Sequence, residues 1–179
     1  QKNYKQSISA FNEAILFFRD LNEPQSELNC LNEIGSIYFK LGDWPSALNC
    51  ILQGLKINTE AGDSEGIALC YNKLGKLYTY LQDYENAVDH FKKALKIFEG
   101  LKNKTEMVNS FFLLGNAYNW LDDYDKSLYY LLRASNQIEQ IPDVEVRTKI
   151  LGSLAILYTK LKEYDKALNY FNDALRIAN

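Results

Sequence analysis

The sequence predicts an all-α fold of the solenoid class, with about nine helices arranged as antiparallel pairs side by side. Three observations carry that expectation. The chain repeats itself every 40 residues without an insertion or deletion: Tyr4, Trp44, Tyr84, Tyr124 and Tyr164 share one slot, Gly35, Gly75, Gly115 and Ala155 a second, and Leu41, Leu81, Leu121 and Leu161 a third. Within one copy, Tyr71, Leu74, Gly75 and Tyr78 fall at i, i+3, i+4 and i+7, the stripe of a helix that buries a single face. Polar punctuation stands between helices in the same register, at Glu23, Asp63, Asn103 and Asp143. A two-helix unit of this kind cannot bury its apolar face alone, and stacking the copies provides the core.

The elements follow in order. Helices are expected over 4–21, 24–41, 44–61, 64–81, 84–101, 104–121, 124–141, 143–161 and 164–178. At about 1.5 Å of rise per residue, each is about 26 Å long. The second helix of each pair opens after a capping residue: Asn3, Asp43, Asp83, Asp123 and, with a longer side chain, Glu163. A short acceptor there satisfies free N–H groups of the first turn. Pro45 sits just inside its helix start, where a missing N–H costs nothing. First helices open near Pro24, Asp63, Asn103 and Pro142. The copies are then 23–62, 63–102, 103–142 and 143–179, read as one array, 1–179, that opens with a partial copy, 1–22, made of a second helix alone. KNYKQSISAFNEAI aligns with GDWPSALNCILQGL without gaps. The last helix shows Phe171, Ala174, Leu175 and Ile177 with nothing following to cover them, whereas solenoids end on a polar cap. These two ends predict a segment of a longer protein, with possible self-association or docking through the final helix.

The spacing also encodes the packing. Gly in a helix interior costs roughly 1 kcal/mol relative to Ala, so Gly35, Gly75 and Gly115 predict close approach of another helix backbone. Opposite them stand the small residues of the second helices, Ser7, Ala47, Ala87, Ser127 and Ala167. A further small slot holds Ala14, Gly54, Ala94, Ala134 and Ala174. Between the two lies a large knob: Phe11, Ile51, Phe91, Leu131 and Phe171. Small residues against large ones across a helical hairpin is the arrangement this order predicts.

The series Leu74, Gly75, Tyr78, Leu81, Asp83, Tyr84, Ala87, Phe91 and Ala94 resembles the tetratricopeptide repeat, and the resemblance covers the whole chain. The spacing departs from the common form of about 34 residues, and the usual helix-ending proline is replaced by Thr59, Glu99 and Glu139. Repeats of 40 residues resemble those of bacterial regulators, sensor kinases and cyclases, and of some eukaryotic scaffold proteins. The resemblance implies a right-handed superhelix whose first helices line a concave face, and a protein-interaction role within a larger signalling or scaffolding protein.

Composition narrows the function. The chain has 179 residues, 47% hydrophobic and 24% charged, enough for a folded core rather than a disordered segment. The net charge of -3 disfavours nucleic acid and anionic membrane, which reward a basic stripe. No apolar run approaches the roughly 18 residues of a membrane span, and no secretory segment stands at the start. Cys30, Cys50 and Cys70 cannot all pair. Cys30 and Cys70 share a slot on neighbouring first helices about 8–10 Å apart, too far for a disulfide. They predict buried free thiols in a reducing, cytoplasmic compartment. The lone histidine, His90, reads as an ordinary surface side chain. No catalytic constellation, phosphate-cradling loop or metal-ligand spacing is present, so no enzyme activity and no cofactor are expected.

The family resemblance implies that ligand contacts come from particular slots on the first helices. In this chain they hold Asn32, Ser36, Phe39 and Lys40; Asn72, Lys76, Thr79 and Tyr80; Phe112, Asn116, Asn119 and Trp120; and Gly152, Ile156, Thr159 and Lys160. Asn72, Lys76 and Tyr80 at i, i+4 and i+8 predict one exposed row, and Phe112, Asn116 and Trp120 form its counterpart. Amides suit an extended peptide backbone, aromatics supply rigid contact area, and Lys40, Lys76 and Lys160 make the face more basic than the chain. The paired lysine–asparagine clamp for a C-terminal carboxylate found in some members is not reproduced. The expected partner is a protein or peptide.

Overall fold

The computed structural model describes residues 2–137 and 143–178. Among them the chain is entirely helical outside its turns: α1 (Lys2–Asp20), α2 (Pro24–Leu41), α3 (Trp44–Glu60), α4 (Ser64–Tyr80), α5 (Tyr84–Leu101), α6 (Lys104–Trp120), α7 (Tyr124–Ser135), α8 (Val144–Lys160) and α9 (Tyr164–Ala178). The expected helix over 124–141 ends earlier, at Ser135. Residues 138–141 and the expected helix opening at Pro142 lie outside the described residues.

One turn geometry joins most of these helices. Asn22, Gly42, Gly62, Gln82, Lys102, Asp122 and Lys162 all have positive φ, and each stands a multiple of twenty residues from the next. At every one, the N–H reaches back to a carbonyl three residues earlier and the following N–H to one five earlier, as in Gly42 to Phe39 (3.2 Å) and Asp43 to Tyr38 (3.0 Å). This double closure satisfies carbonyls that a helix end leaves unpaired. The residue that completes it then opens the next helix. The carboxylate of Asp43 accepts from the Ser46 N–H at 3.2 Å, Asp83 from Asn86 at 3.2 Å, and Asp63 from Gly66 at 3.0 Å. Asn103, Asp123 and Asp143 cap in the same way. One expected cap differs: Asn3 lies inside α1, where its carbonyl accepts from the Ser7 hydroxyl. At the head of α2, Glu23 makes no capping bond.

The chain divides into two compact units, Gln1–Leu77 and Tyr78–Asn179, and the division falls within α4. In the first unit, α1 packs on α2 and α2 on α3. Ile15, Leu31, Ile34 and Cys50 form one cluster, and Ala47, Ile51, Cys70, Leu74 and Leu77 a second. In the second unit, each helix from α5 to α9 packs on its successor, and α6 also touches α8. Its core holds Phe91, Phe98 and Phe111, all fully buried, each contributing about 1.5–3 kcal/mol of transfer free energy.

The knob-and-gap order is realised within each unit. Ala47, Ala87, Ser127, Ala94, Ala134, Ile51, Phe91 and Leu131 are buried. A Cβ built on Gly115 would lie 2.6 Å from Leu131 Cγ and 3.2 Å from the Leu131 backbone nitrogen, the close backbone approach expected there. At Gly35 the nearest atom is the Cys50 Cβ at 3.4 Å, an ordinary side-chain contact. All three cysteines are buried and free. On α9, Phe171 and Leu175 are exposed as expected, while Ala174 is buried.

Candidate functional site

The candidate slots separate into groups that the two units place differently. In the first unit, Asn32 is half-buried and its side-chain oxygen accepts from the Lys73 ammonium at 2.6 Å. Burial pushes the pKa of Lys73 down; the neighbouring Cys70 works against this and Lys76 adds to it. Ser36 is exposed, but its hydroxyl donates to the Asn32 carbonyl at 2.9 Å. Phe39 is half-buried and meets Trp44 edge-on, with ring centres 5.7 Å apart. Lys40 and Lys76 are exposed.

Asn72 does not belong to an exposed row. It is 4% exposed, and neither its amide nitrogen nor its oxygen has a hydrogen-bond partner. The helical register explains the difference. Asn72 follows Ala68 by four and precedes Gly75 by three, so it continues a stripe of buried small residues. Lys76 stands one position further round and stays in solvent.

In the second unit, Thr79 is half-buried and Tyr80 is 64% exposed. Trp120 is 58% exposed, yet its ring lies flat against Tyr84, with centres 5.8 Å apart and planes 8° from parallel. One copy later the same pair of slots holds Lys160, whose ammonium stands 5.3 Å over the ring of Tyr124. Asn116 is half-buried, Ile156 is 51% exposed, and Asn119 is half-buried with an unpartnered side-chain oxygen. Phe112 is half-buried between both cores of this unit and serves packing as much as surface. The unit therefore carries an exposed indole on α6 and an exposed aliphatic side chain and a lysine on α8, the indole and the lysine each held by a tyrosine at the start of a second helix. Tyr84 and Tyr124 stood in the sequence as marks of register, without a sign of this supporting role. Lys73 gave no signal at all, because its bond to Asn32 spans forty-one residues.

His90 is also not an ordinary surface residue. It is half-buried and stacked on Tyr78, with ring centres 5.2 Å apart. Burial lowers its pKa; Lys93 lowers it further, against the opposing pull of Asp89. Among the described residues, no group of three or more His, Cys, Asp or Glu could hold a metal ion, and no helix is long and apolar enough to cross a membrane.

Residues 27–100 and 106–179 match the sequence pattern of the tetratricopeptide repeat. The chain belongs to the tetratricopeptide-repeat family. No curated protein sequence matches it, but solved tetratricopeptide-type structures do. BtubC (BKLC) from P. vanneervenii superposes with a TM-score of 0.87 at 21% identity, over 98% of this chain and 73% of that one. The apo form of RapI gives 0.75 at 17% identity, over 99% and 77%. A STAND-class signal-transduction ATPase with a tetratricopeptide-repeat sensor, from Pyrococcus horikoshii, gives 0.81 at 18% identity, over 98% of this chain but 28% of that protein. At such identities the likeness establishes the tetratricopeptide fold.

Proposed function

We propose that this chain is a non-catalytic protein-interaction module that takes a peptide or a partner helix on the exposed faces of its first helices. The observation that carries the reading is Trp120. A tryptophan 58% exposed and already stacked on Tyr84 offers a large apolar surface with its rotamer entropy spent in advance. Asn116, Ile156 and Lys160 in the same unit add an amide, an aliphatic contact and a positive charge, a combination suited to a polypeptide. The acidic net charge supports a protein rather than a nucleic acid as partner. Likeness to a signalling ATPase with a repeat sensor supports a sensing or scaffolding role within a larger cytoplasmic protein.

The test uses the whole chain. Peptides selected from a displayed random library are titrated against wild type, Trp120→Ala and Asn116→Ala. Loss of an anchoring aromatic should weaken binding by about 2 kcal/mol, roughly thirtyfold. Unchanged affinity in both variants, with native helicity, removes the first-helix faces from consideration.

A second reading rests on α9, where Leu168, Phe171 and Leu175 form an exposed apolar face. In that reading the chain is a spacer or self-association module that docks on an effector domain. Sedimentation at increasing concentration separates the two: a chain that stays monomeric argues against self-association through this face.

A further inference from the structure

Three copies of the repeat share an aromatic pair, and the first copy lacks it. Tyr78 stacks on His90, Tyr118 on Tyr130 at 5.6 Å and 3°, and Tyr158 on Tyr170 at 5.5 Å and 7°. Each pair joins a first-helix tyrosine to the residue twelve positions later. The same step from Tyr38 arrives at Cys50, which brings no second ring.

The space is left open. A cavity of about 330 Å³ lies among α1, α2 and α3, lined by Tyr38 and Cys50 with Ile34 at its side. An enclosed apolar cavity of about 150 Å³ admits benzene; this one is larger, half open to solvent and mixed in lining, and so has the volume for a single planar ring. The rim has changed with the floor. Around the Tyr118–Tyr130 pair, Lys92 and Lys126 stand over the Tyr118 ring and Arg133 over Tyr129. The corresponding slots around the cavity hold Asn12, Ser46 and Gln53, which are uncharged groups able to donate and accept. Arg19 also reaches the rim; its guanidinium is paired with Glu27 at 2.6 Å and donates to the Gln53 side-chain oxygen at 3.2 Å, so Gln53 offers a ligand its amide nitrogen.

We propose that this cavity binds a small, neutral, planar aromatic molecule with a hydrogen-bonding edge, its ring stacked on Tyr38 in the place that Tyr130 fills two copies later. The phenol and purine classes both meet that description. Offset stacking on Tyr38 supplies orientation, and Asn12 and the Gln53 amide N–H groups read the polar edge.

The experiment follows the Tyr38 ring resonances of the whole chain by NMR, identified by their loss in Tyr38→Leu. The probes are p-cresol and adenine, with cyclohexanol as a non-aromatic control. The expected result is a saturable shift with at least one aromatic probe and none with cyclohexanol; the probe that saturates tells a phenol from a purine site. Cys50→Tyr supplies the missing ring from within and should weaken binding at least about tenfold. Should that variant not fold, Tyr38→Leu, followed through the neighbouring Ile34 methyl signals, should weaken it as much. The proposal is overturned by the absence of a saturable shift with either aromatic probe, by equal binding of cyclohexanol, or by folded variants that keep wild-type affinity.

Discussion

The Ser127 hydroxyl donates to the carbonyl oxygen of Gly115 at 2.8 Å, and both residues are buried between α6 and α7. This bond ties the small slot of a second helix to the glycine slot of a first helix, while Leu131, one turn further on, occupies the room that a side chain at Gly115 would need. The hairpin is thus held by one polar contact and one steric fit, and the two can be separated by mutation.

Gly115→Ala should destabilise the chain by about 1–3 kcal/mol, since overpacking against Leu131 outweighs the gain in helix propensity. Gly35→Ala faces the Cys50 Cβ at 3.4 Å and should be neutral, or stabilising by up to about 1 kcal/mol. Urea unfolding monitored by circular dichroism compares the two; equal losses would show that the repeat slots are packed alike.

Asn72→Leu should raise stability by about 1 kcal/mol, because removing two buried, unpartnered polar groups outweighs the crowding from a larger side chain of the same branched shape. The measurement is the unfolding midpoint. A loss would mean that the amide is satisfied in solution.

Gln82→Gly should stabilise by about 1 kcal/mol. Gln82 has φ of 61°, a left-handed conformation that costs a residue with a Cβ roughly 1–2 kcal/mol; the greater freedom of glycine in the unfolded chain offsets part of the gain. Thermal denaturation of the variant beside Gly42→Ala, which should lose a comparable amount, tests both signs at once.

His90 makes stability depend on pH. Its folded pKa lies below the ordinary value of 6.5, so at mildly acidic pH the unfolded state binds more protons than the folded one. The contribution is complete above the ordinary value and is lost as pH falls through the folded one. The drop in stability between about pH 8 and about pH 5 should therefore be smaller in His90→Tyr, which keeps a ring against Tyr78 but carries no imidazole, than in wild type. Urea midpoints measured at both ends of that range make the comparison. Equal slopes would show that other groups set the acid limit.

Among the described residues, helix order and every boundary but the end of α7 were legible to within two residues, because the repeat reports each position four times and because Asp, Asn, Gly and Pro mark the turns. The buried slots of α3, α5 and α7 were legible for the same reason, while in the same series Phe11 is only half-buried and Phe171 is exposed. The candidate site was less so. Asn72 shares its slot with Asn32 and Phe112, yet only Asn72 is wholly buried, and spacing within one helix carries no record of what a neighbouring helix lays over it. Phe112 was read as surface and proves to be wedged between two cores. The stacks of Trp120 on Tyr84 and His90 on Tyr78 depend on ring orientation across a hairpin, which residue identity alone does not specify.

Left-handed stops spaced by multiples of twenty among the described residues explain why the copies align without gaps. One extra residue inside any helix would rotate every later side chain by about 100°, sending the knobs into solvent before the chain reached its next reversal. Drift in length is thereby penalised at each reversal. Gain or loss of whole pairs leaves the interlocking surfaces unchanged, so an array of this type lengthens or shortens in steps of forty.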